Sequence, residues 1–574
     1  MNILKDKVIN LKLLQTRIIM RIKDYAEAQK FISSVILNIF LFGTFFLFFT
    51  PRFESNDDIF MMEIASGNFH GGPNEFLIFI NIIIGNLMKY LYTVMPLYNW
   101  YVILLYMIQF IAMVIVFYIF LKHSSSAYNY LLYIAFFIIM LMPFIAMLQF
   151  TTTAFLAGSS GMLLLITLSE GSNTKRSWVL LGVGILMVLL SGLLRINVFY
   201  LVLLLFAPLT IAMIIKTRNI IKIVPLVIAV ALFFGAMIYN NLSYYNEDPE
   251  WQYYYQYSKL RAQLTDYPYY AWDENTSKIY EDVGWSENDV AMFRSWSFAD
   301  QEKFSLEDLS YIVANITPFT RGFNDAYETF ERAISNLGRT RLLFISACFL
   351  LAISFTRKNE KLVLIATVFI IMLAAFFFSY LGRLPFRIIL LLTYTIGLVS
   401  LYYLSMRHNI LLYKVKIIDS QKAFLFAFLA IYILTVIPFF AINARSSDSN
   451  RIDQVKMNAF FNELLSHDYI YAMWSLGLRA RPVPAFYSEQ SRDLKLFAVG
   501  GWIIPSPHHN YILNKYSIDN AYYALLKEDV LLISRPREIR FLEQYMNENY
   551  GLKVKIERAS DFTEGRVYRV KEVD

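Results

Sequence analysis

The sequence predicts a mainly α-helical, polytopic membrane protein that ends in a small α/β domain. Three observations predict it. Of 574 residues, 57% are hydrophobic, 17% aromatic and only 17% charged, with a mean hydropathy of +0.45; a soluble domain could not hide so much apolar surface. The apolar residues fall in long runs whose lysines and arginines sit at the ends. From about residue 443 the runs give way to short segments with strand and helix patterns. The net charge of +7 is modest and forms no patch for nucleic acid. The single cysteine, Cys348, lies in an apolar run and excludes an intrachain disulfide or a cysteine metal site.

Residues 1–30 carry Lys5, Lys7, Lys12, Arg17, Arg21, Lys23 and Lys30 among leucines and isoleucines, the pattern of an amphipathic helix on the cytoplasmic membrane face. The first span, 31–50, has no small-residue cleavage site after it and reads as a retained signal anchor. The stretch 51–73, PRFESNDDIFMMEIASGNFHGGP, follows. Segment 75–95 is nearly long enough to cross, but Asn81, Asn86 and Lys89 interrupt it. If it stays interfacial or re-entrant, the later spans fall at 101–121, 128–149, 152–169, 178–194, 196–215, 223–239, 342–356, 362–380, 386–406 and 423–442. Lys122, Lys175, Arg176, Lys216, Arg218, Lys222, Arg357, Lys358, Lys361, Arg407, Lys414, Lys416 and Lys422 then share the cytoplasmic side with the basic N-terminus. If it crossed, all of them would flip. The expectation is therefore about eleven spans in a membrane domain 31–442, with interfacial helices in a first outer loop (51–100), a large outer loop (240–341) and an extracytoplasmic domain (443–574).

The large outer loop is rich in tyrosine, tryptophan and acid, as in NEDPEWQYYYQYSKL and DYPYYAWDEN. Such faces suit carbohydrate, and equally an interfacial aromatic belt; the two are compatible. SLEDLSYIVANI reads as a helix with an N-cap serine. In the tail, DQVKMNAFFNELLS, NAYYALL and PREIRFLEQYMNENYG read as helices, the last with proline at its start and glycine at its end. DYIYAMW, DVLLIS, LKVKIE and GRVYRVKEV read as strands. No GxGxxG or GxxxxGKS loop occurs, so no nucleotide cofactor is expected. His508 and His509 in GGWIIPSPHHNY are adjacent, a poor arrangement for joint metal binding and a better one for a loop or a lone hydrogen bond.

The candidate chemistry lies at the membrane edge. Asp57 and Asp58, with Glu54 before and Glu63 after, are costly near hydrocarbon and mark a possible site. Ser55, Asn56 or Asp57 would equally serve as a helix N-cap. Arg195, Arg383 and Arg387 fall in short outer connections, where an arginine needs an anion and can hold a phosphate; snorkelling and structural ion pairs are the alternatives. Glu63, His70, Arg321 and Trp296 are further candidates for substrate contact.

With Asp57 and Asp58 of ESNDDIF just past the first span, the chain resembles the GT-C superfamily of integral membrane glycosyltransferases, and within it bacterial enzymes such as the O-antigen glucosyltransferases. The resemblance covers the architecture, and its motif is the acid pair alone. It implies a polyprenyl-phosphate-linked sugar donor, a cell-surface glycan or lipid-linked acceptor, transfer at the outer face of the bacterial plasma membrane, and usually inversion. Asp58 or Asp57, Asp58 taken first, would be the base; Arg195, Arg383 or Arg387 would hold the donor phosphate. Some members of the family use a divalent metal ion at the acid pair, a point the sequence leaves open. A polysaccharide polymerase or ligase would use arginine and histidine in the large loop, which has no histidine between 240 and 341. A lipid-linked glycan transporter would often show inverted repeats, and none is visible.

Overall fold

The structure, a computed structural model, describes residues 27–67, 71–168, 175–247, 249–266, 271–316, 322–406, 449, 451–453, 455–474, 494–563 and 566–573. Most of the basic lead, His70, Arg321 and the expected span 423–442 lie outside them.

Among the described residues, nine helices are long and apolar enough to cross a membrane, which makes this a multi-pass membrane protein. They are α1 (Glu27–Phe48), α4 (Trp100–His123), α5 (Ala127–Ala146), α6 (Phe150–Leu168), α7 (Ser177–Leu194), α8 (Ile196–Thr217), α9 (Ile220–Tyr244), α16 (Lys358–Tyr380) and α17 (Phe386–Ser405). The expected span 342–356 corresponds to α15 (Arg339–Phe355), which joins α14 (Phe323–Asn336) at a bend of 93°. Gly338 makes the corner possible, since its φ of +79° suits a residue without Cβ. Counting this bent pair as one span gives up to ten.

Among its described residues, the connection between α1 and α4 has no helix long enough to cross a membrane. It holds β1 (Arg52–Phe53), which pairs in parallel with β2 (Met147–Leu148) from the connection between α5 and α6, then α2 (Asn56–Ser66) and α3 (Ile82–Val94). α3 is 13 residues long, about 20 Å of helix, too short for a bilayer core. Asn81 caps it through Ile83 N–H at 3.0 Å and ties it to α9 through the Ala236 carbonyl at 3.1 Å. The interruption by Asn81 in the sequence is thus a helix start.

α6 is the axis of the bundle, fully buried and packed by α4, α7 and α8. Close approach is possible because a Cβ on Gly158 would meet Ser191 and Val202, and one on Gly161 would meet the Gly184 carbonyl and Val188. Its serines and threonines satisfy their hydroxyls on their own helix: Ser159, Ser160 and Thr167 donate to the carbonyls of Leu156, Ala157 and Leu163. Gln109 of α4 donates to Thr153 Oγ1 at 2.9 Å, and Tyr133 of α5 to Asn38 of α1 at 2.6 Å, so polar contacts fix the neighbours that apolar packing alone would leave loose.

The large loop continues as α10 (Pro249–Thr265), α11 (Ser277–Asp282), α12 (Glu287–Arg294) and α13 (Leu306–Asn315). Trp251, Tyr254, Tyr257, Arg261 and Leu264 of α10 are buried, a spacing of three and four that defines one helix face. Many of the loop's described aromatics build its core: Tyr280, Trp285, Phe293, Phe298 and Phe304 are all buried. They serve packing first and leave fewer faces for a ligand than the sequence suggested.

The C-terminal domain carries a five-stranded sheet in the order β4-β3-β5-β7-β6, with β3 (Ile470–Met473), β4 (Leu496–Ala498), β5 (Val530–Ile533), β6 (Val554–Arg558) and β7 (Val567–Glu572). β3 runs parallel to β4 and β5, while β7 is antiparallel to β5 and β6. Residues 455–465, α18 (Pro507–Lys515), α19 (Ala521–Ala524) and α20 (Pro536–Tyr550) are helical. Gly551 ends α20 at φ +66°, and Pro536 opens it, as the sequence indicated. The domain docks on the large loop: Tyr545 and Tyr550 donate to Asp300 Oδ2 at 2.9 and 2.6 Å, and Asn549 to Asp289 at 2.8 Å. It also reaches the first loop, where His508 Nε2–H donates to the Phe76 carbonyl at 2.9 Å.

Candidate active site

α2 begins directly where β1 leaves the end of α1, so its first turn is pressed against the ends of the spans. Ser55 stands at the N-cap position but makes no hydrogen bond from its side chain to the helix backbone. Asp57 and Asp58 occupy the first turn and have different surroundings.

Asp58 is 0% exposed. Its Oδ1 accepts from the Tyr101 hydroxyl at 2.8 Å and from the Phe150 N–H at 2.9 Å, and Ser55 Oγ lies 3.4 Å from Oδ2. Phe150 is the first residue of α6, so Asp58 caps a helix other than its own and pins α2 to α4 and α6 together. Burial pushes its carboxyl well above the usual range, against the two hydrogen bonds that favour the ionised form.

Asp57 is partly buried and faces cations. Burial raises its carboxyl above the ordinary value, while the charges of Arg387 and then Arg195 pull it down. The indole of Trp502 also favours the ionised form, although its N–H makes no hydrogen bond of standard geometry. The two acids therefore divide: Asp58 is locked in a structural network and Asp57 faces the arginines.

Three arginines from two connections cluster there, Arg195 from one and Arg383 and Arg387 from the other. Arg195 stands between α7 and α8 with its guanidinium over the rings of Phe79 and Phe150, at 5.1 and 5.3 Å. It feels the charges of Asp57, Arg387, Arg383 and Asp266 and makes no ion pair among the described residues. Arg387 pairs with Glu54 at 3.1 Å. Arg383 pairs with Asp266 at 2.8 Å, and Asp266 also faces the buried Arg261 at 3.6 Å. Arg261 in turn lies over Trp296 at 4.8 Å. Asp57, Arg195, Arg383 and Arg387, far apart in sequence, are thus brought together, with Trp296 linked through Arg261. Glu63 lies buried at the far end of α2, away from the first turn.

Sequence reasoning missed Arg261, Asp266 and Trp502. The spacing of Trp251, Tyr254, Tyr257 and Arg261 places Arg261 on a buried face and was a usable signal. Trp502 follows paired glycines in an otherwise soluble-looking domain, and only tertiary structure brings it to the first loop. The adjacent histidines each donate to a backbone carbonyl: His508 to Phe76, and His509 Nε2–H to Ala498 at 2.8 Å. Burial pushes His509 down to about 4, so it is neutral at pH 7.

A divalent ion does not suit the acid pair. Asp58 Oδ1 is committed to two donors, positive charge beside Asp57 comes from Arg195 and Arg387, and no group of three or more His, Cys, Asp or Glu side chains among the described residues could hold a metal. What the arrangement offers chemically is a carboxylate able to take a proton, next to guanidinium groups able to hold an anion. No protein family, no curated protein and no solved structure matches this chain.

Proposed function

We propose that the protein is a membrane glycosyltransferase of the GT-C kind, transferring a sugar from a polyprenyl-phosphate-linked donor to a cell-surface glycan or other extracytoplasmic acceptor, with inversion. The carrying observation is the convergence of Asp57 with Arg195, a cation without an ion-pair partner among the described residues, at the end of the span bundle. Asp57 takes the proton of the acceptor hydroxyl as its oxygen bonds to the anomeric carbon. The bond from that carbon to the phosphate oxygen breaks, and its electron pair leaves with the prenyl phosphate. The transition state carries oxocarbenium character. Charge grows on the departing phosphate, and Arg195 is the guanidinium placed to receive it. Arg387 and Arg383 are already paired with Glu54 and Asp266 and set the field around it. Asp58 holds the turn that presents Asp57.

An apolar groove of about 550 Å³ between α1 and α4, lined by Phe46, Pro51, Val102, Tyr106 and Phe110 among others, supports a lipid carrier. It opens beside Pro51, close in sequence to Glu54. In this reading the chain has eleven spans, a cytoplasmic N-terminus and the site on the outer face. The test is purified protein in proteoliposomes with a synthetic prenyl-phosphate-linked, radiolabelled sugar and surface glycan as acceptor. Labelled glycan from the parent and none from Asp57→Asn is the expected result. Mass spectrometry of surface glycans from a deletion strain would show an intact glycan if the reading is wrong.

A further inference from the structure

Trp502 belongs to the C-terminal domain by chain order, yet its side chain lies in the site at the end of the spans. It follows β4 in a segment that is fixed from several directions. Val499 N–H donates to the Met473 carbonyl at 3.0 Å, and the Ser297 hydroxyl to the Val499 carbonyl at 3.0 Å. Gly501 N–H donates to the Trp296 carbonyl at 2.8 Å, and the Tyr254 hydroxyl to the carbonyl of Trp502 itself at 2.9 Å. The indole packs edge-on against Phe60, on α2, at 5.6 Å, and tilted against Phe79 at 4.8 Å. Phe79 is the ring that also carries Arg195. Trp502 is 4% exposed, and its buried N–H has no partner of hydrogen-bond geometry although it adjoins the Asp57 carboxylate. A buried donor left unused asks for an explanation.

We propose that the C-terminal domain completes the reaction centre through Trp502, a positioning residue whose indole N–H binds one oxygen of the Asp57 carboxylate and leaves the other for the acceptor hydroxyl. This rests on the reading of Asp57 as the base. The remaining groups that act on Asp57 are Glu54 and Asp58 beside it, Arg195 and Arg387 from the span connections, Tyr254 from α10, and Tyr101 through Asp58. Replacing Trp502 leaves all of them in place, so its own effect can be isolated.

The experiment measures the protonation midpoint of Asp57 in full-length protein by infrared difference titration, with the Asp57→Asn spectrum subtracted. Trp502→Phe, which loses the N–H, should raise the midpoint by about one pH unit. In the transfer assay it should lower kcat and move the acidic limb of the pH profile upward, with KM for the lipid-linked donor little changed. Benzothienylalanine incorporated at position 502 keeps the ring shape and exchanges N–H for sulfur; it should give the same shift, which a packing role would not. An unchanged Asp57 midpoint in the benzothienylalanine protein overturns the proposal, whatever Trp502→Phe gives. A midpoint raised in both proteins supports it even where the parent transfers no sugar, and in that case the glycosyltransferase reading alone falls.

Discussion

Replacing the two neighbouring aspartates should produce two distinct kinds of damage. Asp58 Oδ1 is the shared acceptor of the Tyr101 hydroxyl and the Phe150 N–H, both buried. Asp58→Ala leaves both donors without a partner, at about 1–3 kcal/mol each, so about 2–6 kcal/mol in total. Asp58→Asn keeps a carbonyl oxygen for both donors and removes a carboxyl that burial disfavours in its charged form; it should cost about 1 kcal/mol or less and leave the rate within about tenfold of the parent. Asp57 has no such network. Asp57→Asn should leave the unfolding midpoint near that of the parent and lower transfer by about 10²- to 10⁴-fold, the loss expected for a general base. The assay is thermal unfolding in detergent beside initial rates of labelled sugar transfer on the same preparations. Full activity in Asp57→Asn would refute the assignment. So would an Asp58→Asn protein with parental stability and a rate as low as that of Asp57→Asn, because Asp58 would then carry the chemistry.

Arg195→Lys should lower transfer by about 10²-fold or more, because an ammonium cannot lie flat over Phe79 and Phe150 and offer a bidentate fork; donor-titrated initial rates check it. Arg387 draws the Asp57 carboxyl down, and a base works only when ionised, so in Arg387→Gln the acidic limb of the pH–rate profile should move to higher pH. Burial holds both aspartates above the ordinary carboxylate value, so between that value and the raised one the folded chain binds more protons than the unfolded chain. Their contribution to stability therefore grows as pH falls through that window, and unfolding midpoints across pH should show a shallower slope in Asp57→Asn. A Cβ at Gly500 would meet the Trp296 carbonyl at 2.7 Å and the Trp474 ring at 2.8 Å, so Gly500→Ala should shift the segment bearing Trp502 and cut transfer while membrane insertion, read by fractionation, is unchanged.

What the sequence disclosed followed from how local each signal is. Spans are runs of apolar residues, and nearly all of those expected within the described residues were found within a few positions. The exception shows the limit: α15 is short and leans on a bend at Gly338, a tertiary event that hydropathy does not encode. In the C-terminal domain β3, β5, β6 and β7 were legible because each has its own run of strand-forming residues. β4, three residues long, has too little pattern to stand out. α18 was obscured by the prolines and glycines before it, though Ser506 accepting from His509 N–H with Pro507 at the first helical position is a recognised start signal.

The site follows the same rule at a larger scale. The acid pair was visible because two carboxylates beside an apolar run are locally odd. Their different roles were not, because what separates them is Tyr101 and Phe150 on one side and Arg195 and Arg387 on the other, all remote in sequence. The positive-inside pattern supplied the one non-local inference available, that Asp57 and the arginines face the same side of the membrane. Sidedness narrows the meeting to a surface. Only the corner from α1 into β1, the stack of Arg195 on Phe79 and Phe150, and the wedge of Trp502 against Phe60 reduce that surface to one cluster.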